Sequence, residues 1–165
     1  MLKEEGELCI DYEASTDRLT PIMLTNHAFF NLSGNGKRDV TSSELFLKSS
    51  EFPEIDSDLI PTGKIRSVDG TPMDFRTPRR VGGRIREDYD ILRYGNGGYD
   101  LNFILDRKND SDVDLVARLR DVENGRVLEV MTNQKCLQVF SGNHLNMTGK
   151  KGQRYGKYHG MFRHI

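Results

Sequence analysis

Apolar and polar residues alternate along several short stretches of this chain. In residues 7–13 (ELCIDYE), Leu8, Ile10 and Tyr12 fall on one side of an extended backbone, and acidic residues fall on the other. A repeat of two positions is typical of a β-strand with one face in water. The start of the chain is therefore predicted to form a strand over residues 7–13.

The clearest alternation predicts a β-hairpin. In residues 113–120 (VDLVARLR), the apolar residues that share one face are Val113, Leu115, Ala117 and Leu119. Residues 126–132 (RVLEVMT) form a second apolar run, and an Asn-Gly pair at 124–125 lies between the two. Such a pair between two strands is a strong signal for a hairpin turn. We therefore predict two antiparallel strands joined at this turn.

Further strands are predicted at residues 44–48, 102–105 and 137–141, and the segments between them are rich in proline and glycine. No segment of about ten residues shows the period of a helix. The predicted fold class is all-β, an antiparallel β-sandwich with long functional loops. Because the chain opens on a strand and closes on HGMFRHI, we expect a sandwich that is incomplete at both ends. Its exposed edges and apolar faces should favour aggregation or dimerisation.

The composition narrows the classes of function. Apolar residues make up 36% of the chain, which is enough for a core, and 24 basic against 25 acidic residues leave a net charge of −1. This balance gives no general attraction for nucleic acid or for a membrane surface. The basic stretch at residues 76–86 lacks interleaved aromatic residues, so we expect a solvated loop there. No run reaches the roughly 20 apolar residues of a membrane span, and the first residues lack the apolar core of a signal peptide, so the expected location is cytoplasmic.

Neither a metal nor a cofactor is predicted. Cys9 and Cys136 lie far apart in the sequence without metal-ligand spacing, and we expect both to be reduced thiols. The spacing of His159 and His164 is the only feature that suggests metal binding by these two residues, and nothing else in the sequence supports it.

Polar side chains occur where predicted strands meet loops rich in glycine and asparagine. The candidates for binding a polyol are His27, Asp100, Gln134, Asn143 and His144. Aromatic rings that could pack on the apolar side of a sugar are Phe29, Phe30, Tyr99 and Phe140. Each polar residue also has an ordinary structural explanation: a buried histidine bonded to a carbonyl, a turn aspartate, or a glutamine bonded to a loop. Composition and pattern alone therefore leave sugar binding as one possibility among several.

Five blocks of the sequence, in order, resemble the aldose 1-epimerase family. TPIMLTNHAFFNLSG is similar to its TP-V-L-TNH-YFNL-G signature, and LIPTGKI with VDGTPMDFRTPRRVGGRI resembles its LIPTGEI and GTPFDFR loop. GGYDLNFILD, NGRVLEVMTNQKCLQVFSGN and GKKGQRYGKYHG resemble three later family blocks. The resemblance covers nearly the whole chain, and it identifies residues 1–165 as the C-terminal part of a single domain with a galactose mutarotase-like supersandwich.

The resemblance implies a reaction and residues that perform it. The family interconverts the α and β anomers of free aldohexoses such as galactose and glucose, and it needs an acid and a base but no cofactor. His27 matches the family's general acid to the ring oxygen. Asp100 matches an aspartate that binds sugar hydroxyls, and Gln134 matches a glutamine of the same pocket. We expect these three side chains to surround one concave cavity.

The chain also departs from the family pattern. Family sequences are about twice as long, and their N-terminal half carries an arginine and a second histidine of the site. Near the C-terminus, His164 stands where the family has its catalytic glutamate, and Leu101 replaces a usual histidine. The family has no histidine at the position of His144, which we expect to be exposed. The chain alone is therefore expected to be inactive, and the alternative is a non-catalytic carbohydrate-binding or interaction module of the same fold.

Overall fold

Nearly all regular structure in this chain is β-sheet. The computed structural model describes residues 1–4, 6–109 and 111–162. Within these residues the strands are β1 (Glu44–Leu47), β2 (Glu51–Ile55), β3 (Pro61–Ser67), β4 (Arg79–Arg80), β5 (Asp100–Ile104), β6 (Asp114–Arg120), β7 (Val127–Thr132), β8 (Cys136–Phe140), β9 (Met147–Thr148) and β10 (Arg154–Tyr155). One short helix, α1 (Asp90–Tyr94), and two 3₁₀ turns, Val81–Gly83 and Lys150–Gly152, complete them.

The strands form two four-stranded antiparallel sheets and a small hairpin. Sheet I has the order β4-β1-β6-β7, sheet II has the order β3-β2-β5-β8, and β9 pairs with β10. Buried apolar residues from both large sheets join one hydrophobic cluster, which includes Leu45, Leu119, Phe52, Phe103 and Val139. This burial is the main stabilising contribution to the fold. The all-β class and the antiparallel sheets are therefore confirmed.

The β6–β7 hairpin is confirmed, but its turn and its inner face differ from the prediction. Within the turn, Gly125 adopts a left-handed backbone with φ of 75° and Asn124 does not, so a longer loop closed by the Asp121 N–H to Arg126 carbonyl bond replaces the two-residue turn. A β-bulge between Leu115 and Ala117 shifts the alternation. As a result Val116 and Ala117 are both buried, whereas Val113 is 60% exposed.

The predicted strand at residues 7–13 is wrong. Leu8 forms only an isolated bridge with Leu2, and residues 9–15 have no regular structure. Leu8, Ile10 and Tyr12 are 54%, 41% and 44% exposed, so no sheet within the described residues covers this apolar face. Alternation gives a residue the capacity to form a strand, but a strand needs a neighbour to accept its hydrogen bonds.

Strands β2 and β3 were not predicted, because both lack a clean alternation. Pro53 interrupts β2, where it is tolerated because β2 pairs with β5 only at Glu51 and is bulged between Pro53 and Ile55. Strand β3 is a polar edge strand, and six of its seven residues are exposed. Edge strands are commonly polar, and polar edges resist unwanted pairing.

Two arginines of the basic stretch at residues 76–86 form ion pairs with nearby carboxylates. Arg76 pairs with Asp74 at 2.9 Å and also with Asp69, and Arg84 pairs with Glu87 at 2.5 Å. Part of the stretch forms β4 instead of the loop that was predicted. Within the described part of the chain, no helix reaches the length and apolar content needed to cross a bilayer.

Candidate functional site

The candidate site lies at the end of sheet II where β5 begins and β8 ends. Asp100, the first residue of β5, pairs in register with Phe140, the last residue of β8. Directly cross-strand residues project from the same face of an antiparallel pair. Asp100 is 7% exposed, and Leu101, the next residue, points to the hydrophobic core. The alternation of β5 therefore holds the carboxylate on the face opposite the core.

Asp100 is hydrogen-bonded to Gln138. Nε2 of Gln138 donates to Oδ1 of Asp100 at 2.7 Å. The two side chains border a depression of about 420 Å³, whose other lining residues are Pro53, Ile55, Leu59, Pro61, Leu101 and Asn102. A small set of polar groups beside an apolar wall is typical of a site for a small neutral ligand.

Gln134 does not lie beside Asp100, so the prediction that both line one cavity is wrong for this residue. Cys136 and Phe140 stand at opposite ends of β8, about 13 Å apart at the usual rise of a strand, and Gln134 is in the turn before Cys136. Its side chain is exposed and donates to Asn133 at 3.3 Å. Gln138 lies beside Asp100 instead. The alternation of β8 could have predicted this, because Gln138 lies two residues before Phe140, the residue paired with Asp100, and therefore projects from the same face.

His27 stands in a turn that leads to the same end of sheet II. The side chain of Asn26 accepts a hydrogen bond from the Ala28 N–H at 3.0 Å. Phe30 then forms an isolated antiparallel bridge with Met161, with backbone bonds of 3.0 and 2.9 Å. Between these two anchors His27 is exposed, so it is not the buried core histidine that the sequence also allowed.

A row of rings connects His27 with the Asp100 strand pair. The His27 ring lies edge-on to Phe29 with centroids 5.4 Å apart, and Phe29 lies 5.8 Å from Phe140. Because Phe140 is directly opposite Asp100, two phenylalanine rings link the histidine to the carboxylate. His27 and Asp100 therefore lie at the same end of sheet II, but His27 is not among the residues that border the depression beside Asp100.

Of the four aromatic candidates, Tyr99 and Phe140 are buried and Phe30 is partly buried. Tyr99 is fully buried, lies edge-on to Phe75 at 5.1 Å and donates its hydroxyl to the Pro72 carbonyl. Burial also raises the pKa of the Tyr99 hydroxyl, so it stays a neutral donor. Phe30 packs against the hydrophobic cluster. Phe29, which is 38% exposed, is the ring among the four that offers the largest exposed surface.

Asn143 is a structural residue, not a sugar contact. It is 2% exposed, and its Nδ2 donates to the carbonyls of Gly95 and Tyr99 at 2.7 and 2.8 Å. Its Oδ1 accepts from the Ser141 hydroxyl, which in turn accepts from the Tyr99 N–H. Gly98 packs so closely that an added Cβ would lie 2.0 Å from Asn143 Oδ1. These contacts fasten the start of β5 to the loop after β8.

The C-terminal segment passes alongside this end of sheet II. The Phe162 N–H donates to the Phe140 carbonyl at 3.1 Å. His164, the predicted counterpart of the family glutamate, lies outside the described residues. His159 accepts a hydrogen bond from the Gly156 N–H at its Nδ1. Among residues 1–4, 6–109 and 111–162, no group of three or more His, Cys, Asp or Glu residues could hold a metal.

Sequence comparisons relate the chain to sugar epimerases. A family model described as aldose 1-epimerase matches residues 1–162. The galactose mutarotase of Mus musculus is 39% identical over 158 residues, which are 94% of this chain and 44% of that protein. The aldose 1-epimerase of Escherichia coli K12 is 31% identical over 161 residues, which are 97% of this chain and 45% of that protein. The chain thus spans less than half the length of the curated relatives it matches.

Two solved structures share the fold. An aldose epimerase homologue from C. elegans superposes with a TM-score of 0.70 at 27% identity, covering 85% of this chain and 40% of that one. The galactose 1-epimerase of Lactobacillus acidophilus NCFM gives a TM-score of 0.70 at 29% identity, covering 85% and 38%. The resemblance noted from the sequence blocks is therefore confirmed.

Proposed function

This chain belongs to the aldose 1-epimerase family, and we propose that it forms the C-terminal part of a domain that interconverts the anomers of free aldohexoses such as galactose and glucose. The observation that supports the proposal is the row of rings from His27 through Phe29 to Phe140, which pairs with Asp100 at the end of sheet II where Gln138 donates to the Asp100 carboxylate. The proposal includes a cytoplasmic location, where free hexoses are metabolised.

The proposed reaction opens and closes the sugar ring by two proton transfers, and no other group is transferred. A base takes the proton from the hydroxyl on C1, an acid gives a proton to the ring oxygen, and the C1–O bond to the ring breaks to give the open-chain aldehyde. Rotation about C1–C2 and closure on the other face give the other anomer, with both proton transfers reversed. Each well-placed acid or base contributes about 10²–10⁴-fold to the rate.

His27 is proposed to supply the acid. Its ring is exposed and can therefore meet a sugar, and the contact with Phe29 limits the directions in which it can turn. An imidazole changes protonation near neutral pH, which suits a group that must give and recover a proton in each cycle.

Asp100 and Gln138 are proposed to hold the sugar. A carboxylate accepts hydrogen bonds from two neighbouring hydroxyls, and Gln138 orients it by occupying one of its oxygens. The carbonyl oxygen of the Gln138 amide offers a further acceptor. Gln138 replaces Gln134 in this proposal, because Gln134 lies at the other end of β8.

Polarimetry of freshly dissolved α-D-galactose tests the proposal. We expect the chain as given to equilibrate the sugar at the rate of buffer. A fusion with the segments of the Mus musculus relative that lie outside the 158 matched residues should accelerate it. In that fusion, His27→Asn should lower the rate by about 100-fold or more, the usual contribution of one acid.

His159→Gln is the matched control, since it also removes an imidazole but lies outside the ring row. A fusion that is indifferent to His27→Asn would refute the assigned acid. A fusion that binds galactose without accelerating mutarotation would instead favour the non-catalytic sugar-binding module, an alternative that is motivated by the 44% coverage of the relatives.

A further inference from the structure

His144 continues the row of rings beyond Phe140. Its imidazole lies nearly parallel to the Phe140 ring, with an interplanar angle of 9° and a centroid distance of 6.3 Å. It is placed by the loop after β8, in which the preceding residue, Asn143, is buried and hydrogen-bonded to the start of β5. The row therefore runs from His27 through Phe29 and Phe140 to His144, with Asp100 opposite its third member.

Asn96 sets the tautomer of His144. Nδ2 of Asn96 lies 3.2 Å from the Asn143 carbonyl and 3.3 Å from Nδ1 of His144. The carbonyl can only accept, so the atom facing it must be the amide nitrogen, and this nitrogen only donates. Nδ1 of His144 is therefore the acceptor, and the proton of the neutral ring resides on Nε2.

Asn96 is itself held in place. It has a left-handed backbone with φ of 56°, a conformation that asparagine tolerates better than most residues. Its carbonyl accepts a hydrogen bond of 2.7 Å from the Lys157 ammonium. The His144 ring is thus fixed both on its Phe140 side and on its Nδ1 side.

The other side of the His144 ring is open to solvent. The residue is exposed, whereas Phe140, on which it stacks, is 4% exposed. Among the described residues, Nε2 of His144 has no hydrogen-bond partner. An exposed donor with a fixed direction, stacked on a ring that pairs with an aspartate, is what a polyol site needs.

We infer that His144 is a sugar-contacting residue that donates a hydrogen bond from Nε2 to a hydroxyl of a bound aldohexose. The inference rests on the proposed function, because it uses the same site and the same class of ligand. It adds a second imidazole at the end of the row opposite His27. His144 would then help to decide which hexose fits, because a single directed donor distinguishes hydroxyls of different configuration.

The test is a titration of the full chain with D-galactose, followed by NMR of ¹⁵N-labelled histidine side chains. Without sugar, the ¹⁵N shifts of His144 should show a protonated Nε2, and Asn96→Ala should mix the two tautomers. On adding galactose, the Nε2–H signal of His144 should shift. His144→Phe keeps a ring on Phe140 but removes the donor, and it should weaken binding about fivefold, the size expected for one neutral hydrogen bond.

His159→Gln is the control and should leave galactose binding unchanged. If the wild-type chain binds galactose while the His144 signals stay still and His144→Phe binds equally well, the inference is overturned and the proposed function stands. If galactose shifts neither the His27 nor the His144 signals of the wild-type chain and of the fusion with the missing segments, both are overturned. The wild-type titration decides even if a variant fails to fold.

Discussion

Gln138 donates a hydrogen bond of 2.7 Å to the carboxylate of Asp100, and this contact joins β8 to the first residue of β5 on the face away from the core. Asp100 is 7% exposed, so its side chain is largely removed from water. A buried carboxylate is stable only when donors replace the lost water. Gln138 is one such donor.

The first prediction separates the two glutamines. Gln138→Ala should weaken galactose binding by about tenfold, because a charge-assisted hydrogen bond that orients the Asp100 carboxylate is lost. Gln134→Ala should leave binding unchanged, since its side chain is exposed at the far end of β8. NMR titrations of both variants measure the two affinities. The opposite ranking would return the sugar site to the β7–β8 turn.

The second prediction concerns the buried amide that fastens the start of β5. Asn143→Ala should lower the free energy of unfolding by about 3 kcal/mol, because it leaves the Gly95 and Tyr99 carbonyls without their side-chain donor. Urea denaturation measures the change. Asn146→Ala, at an exposed position of the same loop, is the matched control and should change stability by less than about 0.5 kcal/mol. Equal effects of the two variants would contradict the structural role of Asn143.

The third prediction is a dependence of stability on pH through Asp121. Burial raises the pKa of this carboxyl, but hydrogen bonds from the Glu123 and Asn124 N–H groups and the Arg38 guanidinium outweigh it, so the pKa is lowered overall. A lowered pKa in the folded state contributes stability that is present above the ordinary aspartate pKa of about 3.9 and is lost as pH falls through the folded value.

Asp121→Asn should therefore destabilise the chain by about 1–2 kcal/mol at pH 7. The difference from wild type should shrink as the pH falls below about 4, because the carboxyl of the unfolded wild-type chain then takes up a proton before that of the folded chain does. Urea denaturation between pH 3 and pH 7 measures both curves, with the exposed Asp17→Asn as the control. A difference that stays constant over this range would rule out the charge of Asp121 as its cause.

The fourth prediction concerns exposed apolar side chains before His27. Leu19, Ile22 and Met23 are 104%, 63% and 87% exposed in a segment without regular structure. Contiguous exposed apolar surface promotes association. We expect the chain to self-associate at micromolar concentration and the double variant Leu19→Lys with Ile22→Lys to do so less, measured by sedimentation velocity. Ile60→Lys, at an exposed apolar position elsewhere, is the control, and a strictly monomeric wild type would contradict the prediction.

Local patterns predicted the elements whose stability is local. The β6–β7 hairpin was found from alternation and an Asn-Gly pair, because its strands are adjacent in sequence and its turn depends on a residue that accepts positive φ. Residues 7–13 had an equally regular alternation and form no strand. The two segments differ in whether a partner strand is present. Strand β6 pairs with β7, whereas no strand among the described residues pairs with residues 9–15.

The sequence by itself determined the all-β class and the family, since period-two alternation and ordered motifs are properties of the chain alone. Only the tertiary structure decided that Gln138 and not Gln134 lies beside Asp100, that Asn143 is internal, and that His144 stacks on Phe140. The physical reason is register. The alignment of β5 with β8 decides which side chains of the two strands meet. A shift of two residues would change every one of these contacts but would leave the alternation of each strand, which is all that the sequence shows, unchanged.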